Sequence, residues 1–223
     1  MVYSDATFMT NIRNGLKLIF AAALMSPMLA SGQQGMSGPH GIFTSATDVG
    51  SPKAGSTVYD PAKDSYVVTG GGSDMWGDAD AFHFSWVQLT GDAALTANVQ
   101  FPTSGVAPLE KAVLIFRQSL DPGSPYADVA IHGDGHITLQ YRVAAGAKTE
   151  DVTAPKTGSM RLRIERKGDR FTAYAATGDG KLTAFSSYVV AMEGPVYVGI
   201  GVCAHRADGV ATATFSNVKL ERP

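Results

Sequence analysis

Three aspartates, Asp74, Asp78 and Asp80, stand close together in the loop GGGSDMWGDAD, and carboxylates on a flexible loop are the oxygen ligands a calcium ion takes. Their spacing matches no dedicated calcium motif, and acidic loop residues commonly cap turns or face solvent, so calcium stays a weak candidate on these three residues. Asp78 and Asp80 are the only acidic pair two residues apart. A pair at that spacing on one strand would put an acid and a nucleophile on the same face, the arrangement glycoside cleavage needs. Here the pair precedes a strand instead. Glu165 reads as the one acidic residue well inside a strand, and Arg163 and Arg166 beside it suggest surface ion pairing. His132 and His136 bracket the turn in HGDGH and invite a zinc reading. If Asp134-Gly135 is a two-residue turn, Gly133 pairs with His136 and His132 with Ile137, so the imidazoles point to opposite faces and zinc is not expected. No Gly-x-Ser-x-Gly motif and no phosphate-cradling loop is present. The lone Cys203, in VYVGIGVCAH, has no motif around it and reads as a small packed residue.

Short alternating or apolar runs between turn signals must position these groups. From Phe82 the residues alternate, with Phe82, Phe84 and Trp86 on one face and His83, Ser85 and Val87 on the other. Similar runs cover Tyr66–Thr69, Ala81–Leu89, Ala94–Phe101, Ala112–Ser119, Ala127–His132, His136–Val143, Met160–Arg166, Arg170–Ala176, Leu182–Tyr188, Val196–His205 and Ala211–Leu220. Strands at this spacing, without helical periodicity between them, predict an all-β sandwich. Gly133-Asp134-Gly135, Gly168-Asp169 and Gly178-Asp179-Gly180 supply the positive-φ residues of hairpins.

The first residues predict export. Arg13 and Lys17 precede the apolar run Leu18–Met25, and Ser26, Pro27, Ala30, Ser31 and Gly32 follow, as in a signal peptide over residues 1–32, with Met9 a plausible true start. The run is about half the ~20 residues that span a bilayer, so no membrane span is expected after cleavage. Residues 33–42 read as a flexible lead-in and 43–223 as one domain. The roughly 190 residues left after cleavage suffice for one sandwich. With one cysteine there is no internal disulfide, so an exported chain relies on its apolar core. The net charge of −2 comes from 18 Lys+Arg against 20 Asp+Glu, scattered along the chain, which argues against nucleic-acid binding.

Once the strands are placed, the sequence resembles the secreted bacterial concanavalin A-like lectin/glucanase superfamily. The resemblance runs through Asp48-Val49-Gly50, Tyr59-Asp60, Gly72-Ser73-Asp74-Met75-Trp76, Asp80-Ala81-Phe82-His83-Phe84, Lys111–Arg117, Leu139-Gln140-Tyr141-Arg142, Leu162–Asp169, Val198–Val202 and Phe215-Ser216-Asn217-Val218. It implies an all-β, concanavalin A-like jelly-roll sandwich of two curved antiparallel sheets, with a concave face as the usual glycan site. The family's Glu-x-Asp-x-Glu hydrolase motif is absent, so catalysis is not expected.

If the polar strand faces line that concave sheet, His83, Arg117, Gln140, Arg142 and His205 form a floor of fixed donors. Trp76 at the rim could then stack on a sugar ring. The expectation is an exported, periplasmic or extracellular, non-catalytic module that binds carbohydrate on these six residues without a cofactor. One rival is a cell-envelope domain that binds another protein. Another is a glycan-processing enzyme drawing on Asp74, Asp80 or Glu165 with His83 or His205. A solvated sheet face would produce the same alternation with no ligand at all.

Overall fold

A computed structural model describes residues 40–102, 106–155, 160–176 and 180–222. The segment read as a leader, residues 1–32, lies outside the described residues, as do most of the lead-in and the Gly178-Asp179 part of one turn. Among the described residues there are strands and turns and no helix.

The strands are β1 (Ser45–Val49), β2 (Ser56–Asp60), β3 (Ser65–Gly72), β4 (Met75–Trp76), β5 (Ala79–Asp80), β6 (Phe82–Leu89), β7 (Ala93–Gln100) and β8 (Lys111–Arg117). They continue as β9 (Tyr126–His132), β10 (Ile137–Arg142), β11 (Glu150–Thr153), β12 (Arg161–Lys167), β13 (Arg170–Ala176), β14 (Leu182–Val189), β15 (Val196–Cys203) and β16 (Arg206–Glu221). They form two seven-stranded antiparallel sheets, in the orders β1-β6-β15-β8-β9-β10-β11 and β14-β13-β12-β7-β16-β3-β2, with β4-β5 as a separate small hairpin. Strands distant in sequence lie side by side, as β15 does between β6 and β8.

Alternation places the core. Ala112, Leu114, Phe116, Val129, Leu139, Val198 and Ile200 of the first sheet meet Leu95, Ala97, Leu162, Ile164, Phe171 and Phe215 of the second. Phe116 and Phe171 touch across the gap with ring centroids 5.5 Å apart. The opposite face of the first sheet is also covered. Met75, from the β4-β5 hairpin, is buried with Phe82, Phe84, Val113, Ile115, Tyr126, Ala130 and Cys203. The hairpin can lie this close because Gly72 has φ +114, and a Cβ there would meet the Ala81 carbonyl oxygen at 1.7 Å.

This second apolar layer corrects the reading of β6. Phe82, Phe84 and Trp86 face the hairpin side, and His83 and Ser85 face the space between the sheets. The polar pair is satisfied there: Thr57 Oγ1 lies 3.1 Å from His83 Nε2 and 2.6 Å from Ser85 Oγ, and Asp48 Oδ1 is 2.7 Å from His83 Nδ1. His83 is therefore on the opposite side of the sheet from Arg117, Gln140 and Arg142.

Candidate functional site

The outer face of the first sheet is a ladder of cross-strand rows. At one end Arg117, Tyr126 and Arg142 lie side by side across β8, β9 and β10. The next row is Ile115, Asp128, Gln140 and Asp151, and the next Val113, Ala130, Thr138 and Thr153. Lys111 and His132 form the last.

The first row is closed. Asp80 of the hairpin accepts from Arg117 Nη1 at 2.5 Å and from Arg142 Nη1 and Nη2 at 2.8 Å, and all three side chains are fully buried. Remaining guanidinium donors go to the carbonyls of Gly77, Ser119, Asp121, Pro122, Ser124 and Ala147 and to the Thr149 hydroxyl. Both guanidiniums also stack near the Tyr126 ring, at 5.6 and 5.0 Å. One carboxylate shared by two arginines, with the surplus donors on carbonyls, satisfies a buried charge cluster. It leaves neither arginine free for a ligand, so the expected donor role of Arg117 and Arg142 becomes an anchoring one.

Beyond the hairpin the face opens into a cleft of about 260 Å³ lined by Asp74, Trp76, Leu109, Lys111, His132, His136, Thr138, Gln140, Asp151 and His205. The buried Lys111 Nζ donates to Asp74 Oδ1 at 2.7 Å and to the Met75 carbonyl at 3.0 Å, and it sits 5.6 Å from the centre of the Trp76 ring. Trp76 is 40% exposed, so part of its indole faces the cleft. His205 Nε2 lies 3.3 Å from Asp74 Oδ2, and its backbone has φ 52, an uncommon conformation for a residue with a side chain.

The two hairpin histidines depart from expectation. His132 N donates to the His136 carbonyl and Gly135 N to the His132 carbonyl, so the loop has three residues, with Gly135 at φ +87. A three-residue loop ending in a left-handed glycine shifts the register by one, which brings both imidazoles to the same face. They stack with centroids 3.7 Å apart. His136 Nδ1 bonds the Asp134 carboxylate, and His132 Nε2 lies 3.3 Å from Thr138 Oγ1. Burial, with His136 and Lys111 adding repulsion, pushes the His132 imidazole down to about 3, so it is neutral near pH 7.

Three buried side chains here hold polar atoms without protein partners: Nδ1 of His132, Oε1 of Gln140 and both carboxylate oxygens of Asp128. His132 and Gln140 line the cleft, 4% and 2% exposed. Asp128 is fully buried, and desolvation holds its carboxyl well above the usual range despite Lys111 nearby. It lies within β9, so Glu165 is not the only strand carboxylate. Its position in phase with Tyr126 and His132, opposite Val129 and Ile131, was the available signal. Glu165 itself lies on the second sheet, bonded to Arg163 and Lys167.

The three calcium candidates are separated by their partners. Asp80 holds the arginines, Asp78 pairs with Lys148 at 3.0 Å, and Asp74 pairs with Lys111 and His205. Among the described residues no group of three or more His, Cys, Asp or Glu side chains is arranged to hold a metal ion. Of the six expected ligand residues, Trp76, Gln140 and His205 line one cleft. Arg117 and Arg142 share its face but are closed off, and His83 faces away. Alternation along His136–Val143 already puts His136 and Thr138 on the face of Gln140, and Asp74, Lys111, His132 and Asp151 are the polar cleft residues that it did not bring together.

No protein-family model matches the sequence, and no curated protein matches it. Solved structures do. A functionally unknown protein from Saccharomyces cerevisiae superposes with a TM-score of 0.58 at 20% identity, over 80% of this chain and 96% of that one. The carbohydrate binding module CBM66 from Bacillus subtilis gives 0.54 at 16% identity, over 81% and 98%. This chain is an all-β jelly-roll sandwich of two antiparallel sheets. A Bacteroides ovatus xyloglucan PUL GH43B also matches, with a TM-score of 0.50 at 13% identity, over 80% of this chain and 39% of that one. At these identities the likeness is one of fold. In this jelly roll the β4-β5 hairpin covers the Arg117–Tyr126–Arg142 end of the outer sheet face and leaves the cleft lined by Lys111, His132, Thr138, Gln140 and Asp151.

Proposed function

We propose that this chain is a non-catalytic carbohydrate-binding module and that its ligand occupies the Trp76 cleft. The observation that carries the reading is a preformed cleft in which an indole face lies beside buried polar side chains with unfilled hydrogen-bonding capacity. An aromatic platform with a few fixed polar groups is what a rigid sugar site needs. The shared fold with a module whose name records carbohydrate binding supports the same reading. The ligand residues are Trp76, Gln140 and His205, joined by Lys111, His132, Thr138 and Asp151, and no cofactor takes part. The proposal includes export to the periplasm or beyond, with residues 1–32 removed, 33–42 as lead-in and 43–223 as the binding domain. Among the described residues no helix is long and apolar enough to cross a membrane.

The enzyme alternative loses two of its three carboxylates, since Asp80 is locked between arginines and Glu165 lies on the other sheet, while Asp74 lines the cleft tied to Lys111 and His205. A polysaccharide pull-down and glycan-array screen of the secreted protein tests the reading. Selective retention that falls in Trp76→Ala and Gln140→Ala variants of unchanged melting temperature is expected. Retention of an envelope protein with no glycan bound at all would replace it with the protein-interaction reading.

A further inference from the structure

Every cation near the cleft already has an anion. Lys111 donates to Asp74 and to the Met75 carbonyl, His205 faces Asp74, and Arg117 and Arg142 are enclosed with Asp80. An acidic saccharide would find no unmatched positive charge here. The acceptors are in the opposite condition. Asp151 stands exposed on the edge strand β11, and its hydrogen bond is a long 3.4 Å contact from the Thr153 hydroxyl. Among the described residues no basic side chain forms an ion pair with it, unlike Asp74 and Asp78.

Directly across from Asp151 on β10 is Gln140, buried, lining the cleft and with its carbonyl oxygen Oε1 unpartnered. The carboxylate and the amide lie on neighbouring strands about 5 Å apart at the backbone, the Asp151 carboxylate open to a donor and the Gln140 Oε1 enclosed beside it. Trp76 adds a ring face that already has one ammonium, that of Lys111, within 5.6 Å of its centre and is still 40% exposed. Aromatic faces favour cations as well as sugar C–H surfaces.

Resting on the carbohydrate reading, we propose that the ligand is a saccharide bearing a free amine. Its ammonium donates to Asp151, beside Gln140 in the cleft wall, and its ring lies on Trp76. N-acetylation removes both the charge and two of the three N–H donors, so the acetylated sugar is discriminated against. A uronic acid places a carboxylate against Asp151 and is repelled.

Titration calorimetry of the full chain distinguishes the outcomes, using a glucosamine hexamer, its N-acetylated counterpart, an oligogalacturonate and a short polylysine. The glucosamine hexamer should bind about tenfold or more tightly than the acetylated one, the scale of one charge-assisted hydrogen bond. Asp151→Asn should remove most of that preference without changing the melting temperature. Trp76→Ala should weaken both hexamers together. Equal binding, or a preference for the acetylated or uronic ligand, overturns the amine proposal and leaves the carbohydrate reading standing. Polylysine binding that matches the hexamer and survives Trp76→Ala overturns it as non-specific charge attraction. Binding to none of the saccharides overturns both.

Discussion

Full burial pushes the Asp128 carboxyl well above the usual carboxylate range, because desolvation makes the anion costly. With the folded value raised above the unfolded one, its contribution is fully present below about pH 4. That contribution is lost as pH rises. Asp128→Asn, which cannot ionise, should therefore melt higher than the parent protein, and the gap should widen as pH rises from 4 towards 8. His132 runs the other way. Its value of about 3 in the folded chain lies below its ordinary 6.5, so the unfolded chain binds a proton that the folded chain refuses. Stability falls as pH drops through that interval, and His132→Gln should flatten the slope of the urea midpoint between about pH 6.5 and 5. Asp80 is a different kind of buried acid. Asp80→Ala would leave two enclosed guanidiniums without a counter-charge and should cost about 3–5 kcal/mol, read by chemical denaturation. The sequence made Trp76, Gln140 and His205 legible as candidates because a tryptophan in a glycine-rich loop and polar residues in phase on strands are local signals. The apolar run before Arg117 also suited a buried arginine paired to a carboxylate, but the enclosure it shares with Arg142 was not legible. It depends on a carboxylate 37 and 62 residues away, delivered by a hairpin too short to show periodicity.

At the scale of elements, the long central strands β6 to β10, β12, β13, β15 and β16 carry clear period-2 alternation and were readable. Those that escaped reading are β1, β2 and β11 at sheet edges and the two-residue β4 and β5. An edge strand buries little, and β11 (Glu-Asp-Val-Thr) is exposed throughout, so it has no apolar rhythm to betray it. Turn length was the other gap. HGDGH is compatible with a two- or a three-residue loop, and the choice decides whether the imidazoles share a face. Gly135 makes the three-residue form possible. Gly135→Val should cost about 1–2 kcal/mol through its φ of +87. In the heteronuclear NMR spectrum it should also shift the ring signals of both His132 and His136, which an effect confined to the loop backbone would not do.

For the whole molecule, the sheets are held together by aromatic and aliphatic contacts across one interface, so stability should be cooperative. Phe116→Ala removes the ring that meets Phe171 and should cost about 3–5 kcal/mol, lowering the denaturation midpoint of both sheets together. The sandwich was predictable as a class because many short strands with glycine turns have few other ways to bury their faces. The extra layer under the hairpin was not. It gives the single cysteine an unusual place: Cys203 is fully buried on the outer face of β15, its Sγ 3.6 Å from the Gly72 carbonyl and its thiol pushed up to about 12 by burial. A thiol so enclosed reacts only when the chain opens. The protein thus carries its own clock for unfolding, and the rate at which a thiol reagent modifies Cys203 would time the departure of the hairpin from the sheet.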